Sequence, residues 1–249
     1  MSIAVVIPAF NEAATVRDVV SRALREADRI VVVDDGSDDG TGAALDGLPV
    51  TLLRNSANLG KAASLRRGIS KALNDGATAV VTLDADAQHE PEDIPRLVAA
   101  HLRNPQVIII GARLHEKRRM PRLRYLANRF ANFWIAWAAG YPVSDSQSGF
   151  RLYPAHVLTA IDVRNDASTR FVFESAVLIS AARAGFTSEA IGISAIYPGD
   201  ARRSHFRPVV DVLLITRMVA WNLLRRGLDI PGLLRSRRCA GRAQHSHMA

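Results

Sequence analysis

Short, continuously apolar runs alternate with helix-like segments over the first 112 residues, and this rhythm constrains the fold more than any other feature. Ile3–Ile7, Ile30–Val33, Val50–Leu53, Ala79–Leu83 and Val107–Ile110 are rich in β-branched residues and lack polar alternation. A strand that is apolar at nearly every position must be covered on both faces, as parallel strands are. Between these runs, Glu12–Ala27, Gly60–Leu73 and Glu92–Leu102 carry helical patterns. Pro91 and Pro95, with Glu92 and Asp93 beside them, mark the start of the last. The expected architecture is α/β, with a mostly parallel central sheet and helices on both faces.

After residue 112 the rhythm changes. Residues 113–129 read as a basic loop leading into a helix, and Phe130–Ala139 as an aromatic, alanine-rich stretch. Phe171–Ala184 has a helical pattern closed by Gly185, a suitable C′ glycine, and Ala190–Tyr197 is a strand candidate. Val209–Leu234 reads as a long amphipathic helix interrupted near Gly227 and Pro231, and residues 235–249 as a basic, then polar tail expected to be disordered.

Charge is unevenly placed. Of the net +8, residues 200–249 hold +7 (ten Arg against three Asp) and residues 113–129 hold +6 (seven basic against Glu116), so the remainder carries −5. Two basic zones on a mildly acidic body point to phosphate, anionic lipid or nucleic acid as partners. The lone cysteine, Cys239, excludes a disulfide framework and a Cys-based zinc site, and fits a reducing, cytosolic setting. Met1-Ser2-Ile3 enters a strand-like run with no basic leader, and the uncharged run Phe130–Ser144 falls short of the roughly 20 residues a spanning helix needs.

In an open α/β sheet, ligands bind beyond the carboxyl ends of the strands, so the residues following each strand matter most. Those ends are followed by Pro8-Ala9-Phe10-Asn11-Glu12, by Asp34-Asp35-Gly36-Ser37, by Asp84-Ala85-Asp86-Ala87-Gln88-His89, and by Gly111-Ala112-Arg113. Five carboxylates (Glu12, Asp34, Asp35, Asp84, Asp86) are therefore expected at one edge. Like charges so placed destabilise a fold unless a cation or hydrogen-bond donors satisfy them. The D-x-D pair Asp84 and Asp86, one residue apart at a strand end, can address one cation, and oxygen ligands suit Mg²⁺ or Mn²⁺ with a phosphate completing the shell. A dinucleotide-binding glycine loop is absent after the first strand, and Gly60-Lys61 is not a P-loop, since Asn55 and Ala62 stand at the wrong places.

Together these motifs resemble family 2 glycosyltransferases of the GT-A fold, and most closely the dolichyl- or polyprenyl-phosphate sugar synthases. The residues that carry the resemblance are PAFNE (8–12), VVDDGSDDGT (32–41), NLGKAASLRRGI (58–69), DADAQHEPED (84–93), GAR (111–113), DSQSGFRLYP (145–154) and FVFE (171–174). The resemblance implies that Pro8, Phe10 and Glu12 border the nucleotide, with Phe10 standing where tyrosine is more usual. It implies that Asp35 hydrogen-bonds the base beside Val33, and that Asp84, Ala85 and Asp86 contact ribose and diphosphate. Asp86 and Gln88 would ligate the metal. Arg113 would bind donor phosphate, while Arg129 and Arg151 would bind the acceptor phosphate. Near the end, His205 falls where lysine often stands, and Arg202 or Arg203 would supply a further positive charge.

The implied reaction is displacement at the anomeric carbon of a nucleotide-sugar, with inversion, and charge growing on the leaving diphosphate. A lipid phosphate acceptor is already ionised, so positioned arginines matter more than a base; for a hydroxyl acceptor, Asp145 is the base candidate. GDP-mannose as donor and a polyprenyl or dolichyl phosphate as acceptor are the first expectation. UDP-glucose or UDP-N-acetylglucosamine with a lipid or small-molecule hydroxyl is the second, and a non-catalytic nucleotide-binding protein the remote third. Residues 1–208 would form the catalytic domain, 209–234 a membrane-associating segment and 235–249 a tail. The protein would sit peripherally on the cytoplasmic face of an anionic membrane. A membrane-anchored partner subunit or a second copy of the chain is an alternative role for the C-terminal helix, and no nucleic-acid signature is present. Plainer structural roles stand beside these: Lys61 and Arg66 as exposed helix charges, Asp38 and Asp39 as helix caps, Glu174 as a hydrogen-bonding residue, His89 at a helix entry, and Trp134 and Trp137 as core or membrane-interface residues.

Overall fold

The computed structural model describes residues 1–112, 122–161 and 173–193, together with residues 220, 233, 234 and 236; for 122–128 it describes the backbone alone. The apolar runs become β1 (Ile3–Ala9), β2 (Ile30–Asp34), β3 (Thr51–Arg54), β4 (Ala79–Thr82) and β5 (Ile108–Ala112). Two further strands, β6 (Arg151–Pro154) and β7 (Ser188–Gly192), complete one seven-stranded sheet in the order β3-β2-β1-β4-β6-β5-β7. All neighbours pair in parallel except β6, which runs antiparallel to both β4 and β5.

The helices are α1 (Val16–Ala23), α2 (Lys61–Asn74), α3 (Ile94–Arg103), α4 (Arg122–Ala139), α5 (Ala155–Ala160) and α6 (Phe173–Arg183). Successive strand residues point to opposite faces, and this alternation sorts the core into two layers. Val6, Val33, Val80 and Ile110 pack with residues of α2, α4, α5 and α6, whereas Val5, Ile7, Val32, Val81 and Ile109 pack with α1 and α3. Coverage on both faces is why these strands read as unbroken apolar runs. The edge strand β3 is the exception: it alternates half-buried and exposed residues, and Leu52 keeps 40% of its surface.

Three departures from the sequence expectation have local reasons. Strand β6 goes unnoticed because its four residues begin with Arg and end with Pro, yet all four are buried. Strand β7 begins two residues before the expected start at Ala190, since its limits are set by pairing with Ile108–Ala112 rather than by its own pattern. Helix α4 already begins at Arg122, within the segment read as a loop leading into a helix. Gly185 does close α6 with φ +88°. Apart from residues 220, 233, 234 and 236, the expected 209–234 helix and the 235–249 tail lie outside the described residues, as do Arg113, Arg202, Arg203 and His205. Among the described residues no helix is long and apolar enough to cross a membrane.

Candidate active site

The loops that follow β1, β2 and β4 meet the Asp145–Phe150 loop at the carboxyl rim of the parallel strands. Among the described residues, three non-glycine residues have positive φ: Asn11 (56°), Ala87 (57°) and Asp145 (48°). One lies after β1, one after β4, and one in the loop before β6. Each left-handed backbone costs roughly 1 kcal/mol, and such strain concentrates where side chains must be aimed.

The five acidic residues divide into two groups. Asp34 and Asp35 turn inward, being 0% and 3% exposed. Asp34 Oδ1 accepts from the Ser37 amide at 2.9 Å, and Arg54 Nε lies 3.4 Å from its other oxygen. Asp35 accepts from Asn55 Nδ2 (2.6 Å) and from the amides of Leu59 (3.0 Å) and Gly60 (2.8 Å), so it ties β2 to the turn that starts α2. Glu12, Asp84 and Asp86 stay partly exposed at the rim.

The 34–41 loop is clamped to the loop after β1. Ser37 Oγ accepts from the Asn11 amide (3.0 Å), Thr41 Oγ1 from the Glu12 amide (2.8 Å) and Asn11 Oδ1 from the Asp38 amide (3.1 Å). Asp39, expected to cap a helix, instead accepts from the Ala13 amide and from the Thr41 amide and hydroxyl. The short 3₁₀ turn at Ala43–Leu45 has no side-chain cap.

At the end of β4, Asp84 Oδ1 lies 2.7 Å from Lys61 Nζ, which also reaches Glu174 Oε1 at 2.9 Å. Lys61 is therefore no free helix charge. Loss of hydration pulls its pKa down, but Asp84 and then Glu174 more than reverse this and hold it above the ordinary lysine value. Asp86 accepts from the Gln88 amide at 3.1 Å. Burial above all, and then the charges of Asp84 and Glu12, push its carboxyl up to about 6. Asp84 and Glu12 both repel the charge on Asp86, and a divalent cation at this rim would relieve that repulsion. No group of three or more His, Cys, Asp or Glu among the described residues is arranged to cage a metal by itself. Asp86 and Gln88 would thus share a cation with oxygens of a bound diphosphate, which is how magnesium-like ions are commonly held.

The Asp145–Phe150 loop is fastened from four sides. Ser148 Oγ donates to the Gly111 carbonyl (2.6 Å) and Thr82 Oγ1 to the Gly149 carbonyl (2.7 Å). Asn132 of α4 accepts from the Ser146 amide (2.9 Å) and hydroxyl (2.6 Å). Arg151, expected at the acceptor phosphate, is 0% exposed. Its guanidinium donates to the carbonyls of Ser148 (2.8 Å), Glu174 (2.7 Å) and Ser146 (2.7 Å). That placement ties the loop to α6 and leaves no open face for a phosphate. Val33, expected beside the base, is likewise wholly buried, with Pro8 and Ala85 also buried and Phe10 partly exposed. His89 is buried against Phe150 with ring centroids 5.6 Å apart. Arg129 is exposed on α4, three residues before Asn132.

Gly149 explains why this loop carries a glycine. A Cβ there would stand 2.6 Å from Asp84 Oδ2 and 2.9 Å from Lys61 Nζ. Gly149→Ala should therefore displace the Lys61–Asp84 pair and lower turnover about 10- to 100-fold, as small misplacements of a site do. Steady-state kinetics beside a thermal melt would check this; a melt shifted by several degrees with turnover intact would assign Gly149 to packing alone.

The model of the family described as Glycosyl transferase family 2 matches residues 4–158, more than half of the chain. This chain is a family 2 glycosyltransferase. The glycosyltransferase is 29% identical over 223 residues to the polyprenol monophosphomannose synthase of Mycolicibacterium smegmatis, covering 82% of this chain and 84% of that one. It is 29% identical over 196 residues to the UDP-N-acetylglucosamine–dolichyl-phosphate N-acetylglucosaminyltransferase of Methanococcus voltae, covering 70% and 78%. The family thus includes relatives of the polyprenyl-phosphate type that the motifs resemble. In fold, it matches glucosyl-3-phosphoglycerate synthase from Mycobacterium tuberculosis, solved with Mn²⁺ and UDP, with a TM-score of 0.66 at 22% identity over 90% of this chain and 78% of that one. The glycosyltransferase therefore has the GT-A α/β fold.

Lys61, Glu174, Asn132 and Gly149 are site residues that sequence reasoning left as exposed, structural or unnoticed. The available signal was position: Lys61 opens α2 directly after Asn58-Leu59-Gly60, and Glu174 stands in the first turn of α6, so both helix starts face the strand ends.

Proposed function

We propose that this glycosyltransferase moves a sugar, with inversion, from a nucleotide-sugar to a polyprenyl or dolichyl phosphate on the cytoplasmic face of a membrane. The observation that carries this reading is the rim of Glu12, Asp84 and Asp86, in which burial first, and then the charges of Asp84 and Glu12, push the Asp86 carboxyl up to about 6. An acidic rim of this kind calls for a cation-bearing diphosphate, the donor half of the reaction. GDP-mannose is the favoured donor, supported by the likeness to a polyprenol monophosphomannose synthase.

In this reading an acceptor phosphate oxygen bonds to the anomeric carbon as the bond from that carbon to the donor diphosphate breaks. The acceptor is already ionised, so no strong general base is required. Mg²⁺ or Mn²⁺ would supply neutralisation of the leaving diphosphate, held by Asp86 and Gln88. Lys61, fixed between Asp84 and Glu174, holds the Asp84 carboxylate in place beside Asp86. Asp35 holds the turn at Leu59 and Gly60 in place at the nucleotide end. Arg113, Arg202, Arg203 and His205 would add positive charge around the phosphates, and Arg129 would hold the acceptor phosphate.

A panel of nucleotide-sugars tested for Mn²⁺-dependent thermal stabilisation separates the donors. The true donor at 100-fold its Kd should add about 2.7 kcal/mol of stability. A UDP-sugar as the stabilising donor would favour the donor of the second reading, which the likeness to a UDP-N-acetylglucosamine–dolichyl-phosphate N-acetylglucosaminyltransferase supports, while the acceptor would stay a lipid phosphate. No stabilisation by any donor would overturn the proposal. Arg129→Ala should raise the KM for the lipid acceptor about tenfold or more while leaving donor affinity within twofold, loss of one charged hydrogen bond costing about 1.5–3 kcal/mol. A loss confined to the donor side would move Arg129 to the diphosphate.

A further inference from the structure

Helix α4 carries two apolar stripes where a core helix needs one. Ala131, Ile135 and Ala138, at four- and three-residue spacing, are 6%, 0% and 1% exposed and pack in the core shared with α6. Displaced by one residue, about 100° around the helix, runs a second and aromatic stripe: Phe130, Phe133, Trp134 and Trp137. Its rings stack as one body. Trp134 and Trp137 lie 5.2 Å apart at 20°, and Phe133 meets Trp134 edge-on at 5.5 Å. The two tryptophans lean on the core, but Phe130 is 49% and Phe133 37% exposed. Folding alone does not call for that outward face.

The charge of the same helix says what would cover it. Its 18 residues contain Arg122, Arg124 and Arg129 and no acid, and the nine residues before it add four more basic side chains against one glutamate. Basic residues beside exposed aromatic rings are the composition of helices that lie in the headgroup region of an anionic bilayer. Aromatic rings settle at that depth because one edge tolerates water while the body prefers acyl chain. The same turn of α4 reaches the site from another side: Asn132, about 200° around the helix from Phe130, holds Ser146 of the loop next to Asp145.

We infer that the Phe130–Phe133 edge of α4 is the surface on which this glycosyltransferase docks to an anionic membrane. The inference rests on the lipid-acceptor reading and deepens it, since a bilayer at this edge delivers a lipid phosphate to the Asp145–Phe150 loop. It assigns docking to α4 rather than to residues 209–234 alone.

The full chain carrying Trp221→Phe reports only Trp134 and Trp137. With phosphatidylglycerol-containing vesicles its emission should shift to the blue and be quenched by brominated acyl chains, and with pure phosphatidylcholine it should change far less. Phe130→Glu/Phe133→Glu in that background should weaken vesicle binding at least about tenfold, as expected for withdrawing two partly buried rings from lipid. Its melting temperature should be unchanged, and so should transfer to a short-chain, water-soluble polyprenyl phosphate, while transfer to vesicle-borne acceptor falls. Equal flotation of the double variant, absent quenching, or a change of oligomeric state in place of vesicle binding would overturn the surface assignment. Failure of the parent chain to use either acceptor would instead overturn the functional reading, with the quenching result still deciding the surface.

Discussion

Asp86→Asn should make the metal-free protein more stable while abolishing transfer. The carboxyl is pushed up to about 6 by burial and by the neighbouring Asp84 and Glu12 charges. A group whose pKa is raised by folding favours the protonated folded state. Its penalty is absent below the ordinary aspartate value, grows as pH rises through about 6, and is complete at neutral pH. A shift of this size corresponds to about 1–3 kcal/mol, or several degrees of melting temperature for a chain of this length. Metal-free wild type should therefore melt higher at pH 5 than at pH 7 relative to Asp86→Asn, whose profile is flatter over that range. Saturating Mn²⁺ should stabilise wild type and not the variant. Turnover of the variant should fall by about 10³-fold or more, the scale of losing one well-placed electrostatic group in a transition state. A variant that is less stable than wild type at neutral pH, or that keeps its turnover, would remove Asp86 from the cation site.

Arg151→Met should be the most destabilising substitution at the site. The guanidinium is wholly buried and shared among three backbone carbonyls from two separate segments. Methionine keeps part of the volume but leaves those carbonyls without their donor, at about 1–3 kcal/mol for each buried group that water cannot reach. A total loss of about 3–5 kcal/mol is expected, readable as a lowered denaturant midpoint with little change in slope. Arg151→Lys should recover only a fraction, because one ammonium cannot span the three directions that a guanidinium fork reaches. If Arg151 instead held the acceptor phosphate, Arg151→Met would raise the acceptor KM and leave the denaturant midpoint in place. Equilibrium unfolding and acceptor kinetics on the same preparation separate the two outcomes.

The contrast between Asp86 and Arg151 shows how far local pattern reaches. Both were singled out by motif, one at the end of an apolar strand and one inside the Ser148–Tyr153 run. The strand pattern is a short-range property. An unbroken run of Val and Ile implies a strand covered on both faces, and the next residues must then emerge at the rim. Asp86 follows from that logic. Arg151 sits on β6, whose place between β4 and β5 depends on strands about 70 and 40 residues away in the chain. No local signal states which way its side chain must turn.

The sequence by itself determined the α/β alternation, the gathering of Glu12, Asp84 and Asp86 beyond the strand ends, and the glycosyltransferase motifs built on them. Tertiary structure alone decided that β6 inserts antiparallel, that Asp34, Asp35 and Arg151 spend their charges inward, and that Lys61 joins Asp84 to Glu174. It also decided that α4 turns aromatic rings outward. The physical reason is common to these cases. Periodicity is written in neighbouring residues, whereas the partner of a buried charge is chosen by which distant segments the fold brings within hydrogen-bond reach.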